Sequence, residues 1–238
     1  LPKAAQPPYP LAVFVHSGGF FKSDKTRHLS NILNCLLYDY AVASVNFRLN
    51  DETPYFGSRT DFIDALNFLA AREEIDSGRI LLWGESYGSY LALDVVVNHP
   101  AKLTFKAKGV IDMACAVDLN DFHQYKKAMG QELIVRGVDN DILTFNAGGE
   151  YLTDAIKSTS FIEHFTGDEP PVCILHGEED EIVPVRYSLQ LDQILTQKGI
   201  EHETHLIPGG VHGIDHYAAP EYNRLIIDFI RKQFHAES

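Results

Sequence analysis

Six short apolar runs alternate along this chain with longer segments whose apolar residues recur at helical spacing. A strand, a helix and a second strand fold almost always into a right-handed parallel unit, with the helix packed on the sheet. The alternation therefore predicts an α/β fold, with a mostly parallel sheet of about six or more strands and helices on both faces. The predicted strands cover residues 11–16, 41–47, 79–83, 107–111, 171–176 and 201–207. The predicted helices cover residues 29–37, 62–69, 86–99 and 188–198, and a last helix opens at Pro220.

One long stretch interrupts the alternation. Residues 118–168 lie between the fourth and fifth predicted strands, and long insertions of this kind are usually lids or binding elements. A chain of 238 residues is long enough for one domain with a substantial core. We therefore predict a single domain over residues 1–238 with a lid or cap insertion at about 118–168. The insertion carries aromatic residues that either line a pocket or pack the lid onto the body: Phe122, Tyr125, Phe145, Tyr151, Phe161 and Phe165.

Charge and composition argue against several kinds of partner. The formal net charge of −13 repels nucleic-acid phosphates and an anionic membrane surface, so we expect no nucleic acid and no membrane as partners. No apolar run approaches the ~20 residues that span a bilayer. The three cysteines, Cys35, Cys115 and Cys173, each lie in an apolar run, and their odd number is atypical of a disulfide framework. These features favour a cytoplasmic protein, with a removed export signal as the alternative.

The sequence Gly84-Glu85-Ser86-Tyr87-Gly88 follows one predicted strand and opens the next predicted helix. This is the G-x-S-x-G pattern in the strand–turn–helix setting that it requires. Such a turn holds its serine in a strained backbone conformation, so the residues two positions away must be small, as Gly84 and Gly88 are. The Ser86 hydroxyl then lies at the helix N-terminus, where the helix dipole favours a developing negative charge. Ser86 is therefore the candidate nucleophile.

At these residues the chain resembles the α/β-hydrolase superfamily, especially its hormone-sensitive-lipase-like esterases and the catalytic domains of prolyl-oligopeptidase-type peptidases. The resemblance extends over nearly the whole chain and implies the α/β-hydrolase fold. Residues 176–184 match the family's H-G-x-x-D-x-x-V-P signature, in which the aspartate, here Asp180, is the triad acid. Asp180 lies just past a predicted strand, where an open parallel sheet places its ligands. The neighbouring Glu178, Glu179 and Glu181 are expected to be solvated.

The family places its general base in the loop between the last strand and the last helix. In this chain that loop is Pro208-Gly-Gly-Val-His212-Gly213, and the small residues around His212 let its imidazole reach the nucleophile. The order serine, aspartate, histidine along the chain is the order that this fold uses. The resemblance thus implies His212 as the base. His216 is the nearest competing histidine, but it lies beyond the glycine-lined turn.

The segment His16-Ser17-Gly18-Gly19 follows the first predicted strand and resembles the H-G-G-G loop of hormone-sensitive-lipase-like esterases. In those enzymes two glycine amides of this loop, together with the amide after the nucleophile, receive the oxyanion. The resemblance therefore implies that the oxyanion hole of this chain consists of the backbone amides of Gly18, Gly19 and Tyr87. Ser17 departs from the family's pattern because it replaces the first glycine. His16 is expected to anchor the loop rather than to act as a base.

These residues predict a serine carboxylic-ester hydrolase, a carboxylesterase of class EC 3.1.1. We expect His212 to take the Ser86 proton as the serine attacks an acyl carbonyl, and Asp180 to stabilise the resulting imidazolium. The insertion lacks the long amphipathic helix of an interfacial lipase and is not rich in methionine, so short-chain acyl or small aromatic esters are the expected substrates. The expected partner is a small-molecule ester, no cofactor and no metal are expected, and the sequence does not indicate an oligomeric state.

Three alternatives stay open. The nearest is a serine peptidase of the prolyl-oligopeptidase type with the same triad, since a tyrosine at the position of Tyr87 occurs in that group. A second is a non-catalytic ligand-binding module on the same scaffold, although such proteins typically lose a triad member. The third is a metalloenzyme, which His202 and His205 suggest; however, residues three apart in a strand face opposite sides, and no cysteine pair has zinc spacing.

Overall fold

The predicted parallel sheet is present in the structure. The computed structural model describes residues 1–3, 5–19, 22–49, 52–53, 55–129, 161–213 and 217–235. Six strands in this part of the chain form one sheet in the order β2-β1-β3-β4-β5-β6, and every described strand pair is parallel. The strands are β1 (Tyr9–Val15), β2 (Ala41–Val45), β3 (Ile75–Glu85), β4 (Gly109–Met113), β5 (Val172–Gly177) and β6 (His202–Ile207). The α/β prediction is therefore confirmed.

Helices cover both faces of this sheet. In the described ranges they are α1 (Leu29–Leu33), α2 (Tyr55–Ala70), α3 (Tyr87–Val97), α4 (Leu119–Ala128), α5 (Arg186–Lys198) and α6 (Pro220–His235). Buried side chains such as Phe62, Leu91 and Leu191 join α2, α3 and α5 to one core cluster. Ile32 and Phe229 join α1 and α6 to a second cluster on the other face. None of the helices in these ranges combines the length and the apolarity that a membrane crossing requires.

The burial of β1 on both faces of the sheet explains why its sequence is continuously apolar. All of its residues are buried, and successive side chains point to opposite faces of a sheet. Leu11 and Val13 pack in the cluster with α2, α3 and α5, whereas Ala12 and Phe14 pack in the cluster with α1 and α6. Burying a large aliphatic or aromatic side chain contributes about 1.5–3 kcal/mol. Burial on both faces therefore explains why residues 11–15 are all apolar.

The strand ends differ from the prediction by up to four residues, as β3 and β4 show. Strand β3 starts earlier than predicted, at Ile75, because Ile75 pairs with Tyr9 of β1 across a register shift. Strand β4 starts later than predicted, at Gly109, because its pairing with β3 begins at Leu81. Both boundaries depend on pairing with the neighbouring strand. The pattern of apolar residues within one segment carries no information about that pairing.

The three cysteines belong to the core. Cys35, Cys115 and Cys173 are buried free thiols, as their apolar surroundings in the sequence predict. Burial raises the pKa of Cys35 to about 12, so its thiol behaves as a small apolar side chain rather than as a nucleophile.

The predicted insertion lies partly outside the described residues. Helix α4 and a 3₁₀ turn at Ile162–His164 belong to it, whereas residues 130–160 are outside the described ranges. The lid at 118–168 and the single domain over 1–238 stay predictions.

The parallel arrangement brings four loops to one edge of the sheet. The central strand β3 ends beside Ser86, and β1, β5 and β6 end beside residues 16–19, 178–180 and 208–213. Because the carboxyl ends of parallel strands meet at the same edge, segments that are distant in the sequence converge there. All the residues predicted for the site lie in these loops or at the start of α3.

The contact between α3 and β1 leaves no room for a side chain at Gly88. A Cβ atom there lies 2.0 Å from the carbonyl oxygen of Val15 and 2.8 Å from that of His16. Backbone atoms in a sheet cannot move aside as a flexible side chain can. We predict that Gly88→Ala lowers the free energy of unfolding by roughly 3 kcal/mol, measured by urea denaturation.

Gly78→Ala is the matched control for this substitution. Gly78 is exposed, and the nearest neighbour of an added Cβ is a carboxylate oxygen of Asp76 at 3.2 Å. Its effect is expected to stay within about 0.5 kcal/mol. If Gly88→Ala were as stable as the unmodified protein, the close packing of α3 on β1 would be wrong.

Candidate active site

The backbone at Ser86 has the strained conformation that the motif predicts. Its φ is 55° and its ψ is −115°, between the end of β3 and the first residue of α3. The Ser86 N–H donates to the carbonyl oxygen of Met113 at 2.7 Å, which ties the turn to β4. At Gly84, an added Cβ atom lies 2.3 Å from the backbone nitrogen of Ser89. Only glycine fits there, because the turn folds α3 back against β3.

His212 joins Ser86 to Asp180 through its two ring nitrogens. Its Nε2 lies 3.1 Å from Ser86 Oγ, and its Nδ1 lies 2.7 Å from Asp180 Oδ2. Since a carboxylate only accepts hydrogen bonds, Nδ1–H donates to Asp180 and Nε2 accepts the Ser86 hydroxyl proton. The structure therefore brings together the three residues predicted for the triad, in the protonation pattern that proton transfer from the serine needs.

Four donors surround the Asp180 carboxylate. Oδ1 accepts the backbone N–H groups of Ile182 and Val183, both at 2.8 Å. Oδ2 accepts from His212 and lies 3.2 Å from Nε2 of His176. Burial alone raises the pKa of this carboxyl, but the hydrogen bonds from His176 and His212 outweigh burial and hold the pKa of Asp180 well below its usual range. Asp180 is therefore ionised wherever the protein is folded near neutral pH.

His176 contacts the Asp180 carboxylate, and the sequence analysis did not assign it this role. This side chain is fully buried, and its Nε2 contacts both the Val183 carbonyl at 2.8 Å and the Asp180 carboxylate. Its Nδ1 lies 2.6 Å from the Ser188 hydroxyl, which donates to it when Nε2 carries the proton. His176 belongs to the H-G-x-x-D segment, and its presence there was the one available indication that it supports the acid.

The acidic neighbours of Asp180 are solvated, as predicted. Glu178, Glu179 and Glu181 are exposed, whereas Asp180 is buried. His216, the competing histidine, lies outside the described residues.

The predicted oxyanion loop lies beside Ser86. Gly18 and Gly19 have positive φ angles of 117° and 64°, and both line the same cavity as Ser86, Tyr87 and His212. Tyr87 is the first residue of α3, where backbone N–H groups point along the helix axis away from the helix. The amides assigned to the oxyanion by resemblance are thus next to the serine, and their role stays a prediction.

His16 has the surroundings of a structural residue. Its ring is completely buried and stacks on Phe47, with ring centroids 4.4 Å apart. Its Nδ1–H donates to the carbonyl oxygen of Ser17 at 2.7 Å. Burial is the largest influence on its pKa and lowers it, so the ring stays neutral and holds the loop.

A cavity of about 340 Å³ opens above the serine. Its lining combines apolar side chains, among them Tyr90, Leu119 and Phe122, with the charged residues Lys22, Arg27 and Glu85. Of the aromatic residues in the insertion, Phe122 thus lines the cavity. By contrast, Phe161 and Phe165 pack in the core, and Phe145 and Tyr151 lie outside the described residues.

The histidines considered for a metal face opposite sides of β6, as predicted. His202 lies near Thr196 and Asp192 of α5, whereas His205 lies beside Glu203. Cys173, Glu203 and His205 place one donor atom each within 4.8 Å of one another, a group that motif spacing did not indicate. It lies toward the starts of β5 and β6, whereas Ser86 lies at the edge where the strands end.

Asp112 is a buried carboxyl directly behind the serine turn. It precedes Met113, which accepts the Ser86 N–H, and its own Oδ1 accepts the N–H of Cys115 at 3.0 Å. Its Oδ2 has no hydrogen-bond partner in the part of the chain that the structure describes. Burial raises the pKa of Asp112 to about 6, against smaller lowering effects of His176 and Ser89.

Comparison with known proteins gives one family match and several distant relatives. The BD-FAE family model matches residues 1–195. Probable dipeptidyl-aminopeptidase B of Sordaria macrospora is 27% identical over 169 residues, which are 71% of this chain and 16% of that protein. The mitochondrial palmitoyl-protein thioesterase ABHD10 of Rattus norvegicus is 29% identical over 130 residues, 52% of this chain and 42% of that protein. The chain thus spans less than half the length of these curated relatives.

The fold is also similar to solved structures. A truncated form of a carbohydrate esterase from gut microbiota has a TM-score of 0.81 and 19% sequence identity, with 98% of this chain and 88% of that chain covered. At this identity the likeness concerns the fold, and the α/β-hydrolase fold predicted from the sequence is confirmed.

The buried carboxyl of Asp112 predicts a specific pH dependence of stability. Its pKa rises from 3.8 to about 6 on folding, so ionisation costs the folded state free energy. That cost is absent below pH ~4, grows as the pH rises to about 6 and is constant above it. Asparagine keeps the acceptor for Cys115 but carries no charge. Asp112→Asn should therefore gain up to about 3 kcal/mol of stability over the unmodified protein between pH 4 and 7, measured by urea unfolding at each pH. A difference that does not change with pH would contradict a buried, uncompensated carboxylate.

Proposed function

This chain belongs to the BD-FAE family, and from that premise we propose that it is a serine hydrolase that cleaves carboxylic esters through an acyl-enzyme. The observation that carries the proposal is the continuous hydrogen-bonded chain from Ser86 through His212 to Asp180. A serine is a weak nucleophile unless an adjacent base removes its proton, and this arrangement supplies the base and orients it.

In the first half of the reaction, Ser86 Oγ attacks the carbonyl carbon of the ester as its proton moves to Nε2 of His212. A C–O bond forms, and the carbonyl π electrons move onto the oxygen. Asp180 stabilises the imidazolium, because its carboxylate is already ionised and already bonded to Nδ1–H. Little rearrangement is needed as charge develops, which is the condition for effective electrostatic catalysis.

The oxyanion is assigned to the amides of Gly18, Gly19 and Tyr87. Their position in the cavity wall beside Ser86 supports this assignment. Each donor aimed at such an oxygen lowers the barrier by about 3 kcal/mol. Collapse of the tetrahedral species breaks the ester C–O bond, and His212 gives its proton to the leaving alcohol. A water molecule then repeats the sequence on the acyl-enzyme, and His212 acts again as base and acid.

The cavity supports a short acyl group. Its volume of about 340 Å³ is at the small end of the range for ligand pockets, and Leu119 and Phe122 of α4 form part of its apolar wall. A long acyl chain needs a longer apolar path than the described residues of the cavity wall provide.

A serine peptidase is the second candidate. The match to a probable dipeptidyl-aminopeptidase B favours it, as does the tyrosine after the serine. The same triad cleaves amides when the pocket orients the scissile bond. A preference for aminoacyl amides over every simple ester would move the assignment to this activity.

Replacing the nucleophile tests the proposal. Ser86→Ala should leave the fold intact and lower kcat for a p-nitrophenyl ester by about 10⁴-fold or more, because no acyl-enzyme can form. Circular dichroism and urea unfolding report the fold, and release of p-nitrophenol reports turnover. Hydrolysis at the unmodified rate by Ser86→Ala would exclude Ser86 as the nucleophile.

A pair of carboxyl variants tests the assignment of Asp180 as the triad acid. Asp180→Asn should lower kcat by about 10⁴-fold, which is the loss that the equivalent substitution causes in a serine protease. Glu178→Gln removes an exposed charge two positions away and should change kcat less than about twofold. If the glutamine variant lost activity instead, the acid would need to be reassigned.

Acyl-chain length tests the substrate class. We predict higher kcat/KM for acetyl to butyryl p-nitrophenyl esters than for decanoyl and longer esters, with no rise in rate when substrate passes into micelles. Each methylene that fits adds up to ~0.8 kcal/mol of transfer free energy, so specificity should rise only until the apolar wall ends. A kcat/KM that continues to rise beyond octanoyl would contradict a short pocket.

A further inference from the structure

Two cationic side chains line the candidate active site of a chain that is negatively charged as a whole. The protein carries a formal net charge of −13, whereas Lys22 and Arg27, both exposed, line the cavity above Ser86. An anionic molecule is repelled by the surface as a whole and attracted by these two side chains.

Arg27 is held at the oxyanion loop by one of its five N–H groups. Its Nε–H donates to Ser17 Oγ at 3.1 Å, and Ser17 is the residue that replaces a glycine of the H-G-G-G pattern. The hydrogen bond fixes the guanidinium at the cavity wall and leaves its two terminal amino groups for other acceptors. In the described part of the chain, no carboxylate forms an ion pair with Arg27.

Among the described residues that line the cavity, only Glu85 carries a carboxylate, and it already has a different partner. Glu85 is 3% exposed, and its Oε2 accepts a hydrogen bond from Nδ1 of His28 at 2.7 Å. No ion pair between Glu85 and Arg27 is present among the described residues. Arg27 therefore presents a positive charge toward any molecule that reaches Ser86.

On the basis of the proposed ester hydrolysis, we infer that Arg27, with Lys22 at the same rim, forms a subsite for an anionic group on the alcohol portion of the substrate. A guanidinium fork matches a carboxylate or a phosphate through paired hydrogen bonds. The acyl group takes the apolar side of the cavity at Leu119 and Phe122, because an anion there would lose its hydration without a partner. The charged side is then left for the leaving alcohol.

Three aryl acetates separate charge from shape. 4-Acetoxybenzoate and 4-acetoxyphenyl phosphate carry the two kinds of anion, and 4-acetoxybenzamide is a neutral analogue of similar size. Each kcat/KM is divided by the rate of hydroxide-catalysed hydrolysis of the same ester, which removes differences in leaving-group reactivity. The unmodified protein is expected to favour at least one anion by about tenfold over the amide, and the preferred anion identifies the natural charged group as carboxylate or phosphate. Added salt should reduce the preference.

Two substitutions distinguish a charge subsite from loop positioning. Arg27→Gln should reduce the anion-to-neutral ratio to about one, mainly through KM, and Arg27→Lys should retain part of it. Ser17→Ala removes the same hydrogen bond but keeps the positive charge of Arg27, so it should lower kcat for the charged and neutral esters alike and retain more of the ratio than Arg27→Gln does. If Arg27 only positioned the oxyanion loop, Arg27→Gln and Ser17→Ala would behave in the same way.

Equal normalised kcat/KM for the three esters, or a preference that survives Arg27→Gln, overturns the subsite. Calorimetric binding of 4-hydroxybenzoate and of 4-hydroxyphenyl phosphate to Ser86→Ala, with and without Arg27→Gln, tests the same contact without turnover. Binding that depends on Arg27, when the unmodified protein hydrolyses no ester, supports the anion subsite and refutes the proposed function. Hydrolysis of the neutral ester with no binding of either phenol refutes the subsite alone.

Discussion

The buried carboxylate of Asp180 is the interaction on which the candidate active site depends. A charge with so little exposure is stable only when its lone pairs are used, and four donors use them: two backbone amides and the imidazoles of His176 and His212. The bond to His212 fixes which ring nitrogen carries a proton. That tautomer leaves Nε2 as an acceptor facing Ser86. The reactivity of the serine therefore depends on the hydrogen bonds made to Asp180 in the loop after β5.

The parallel sheet supplies the rigidity that such an arrangement needs. Its two faces are buried by separate helical layers, and four of its strands end at the edge where the polar side chains meet. Strain is concentrated at Ser86, whose positive φ is maintained by the close packing of α3 against β1 and by the hydrogen bond to Met113. Catalytic residues on loops that a rigid sheet positions are common in α/β proteins.

The sequence indicates the fold and the three central residues for a physical reason. Strand–helix alternation is a local pattern, and the segments around Ser86, Asp180 and His212 have steric requirements that leave small residues at fixed offsets. The contacts of His176, the hydrogen bond from Arg27 to Ser17 and the pair of Glu85 with His28 join residues without such spacing. These contacts exist only after the chain has folded. The predicted start of β4 is wrong for the same reason, because pairing with a neighbouring strand determines where β4 begins.

Mapping the site of covalent labelling by a fluorophosphonate tests whether Ser86 is the activated nucleophile, since the reagent phosphonylates only a serine whose hydroxyl is activated by a neighbouring base. We expect one adduct per folded chain, found by peptide mass spectrometry on Ser86, and no adduct after the protein is unfolded. Labelling should also slow greatly in Asp180→Asn. An adduct on any other residue, or ester hydrolysis by a preparation in which Ser86 stays unlabelled, would contradict the assignment of Ser86 as the activated nucleophile.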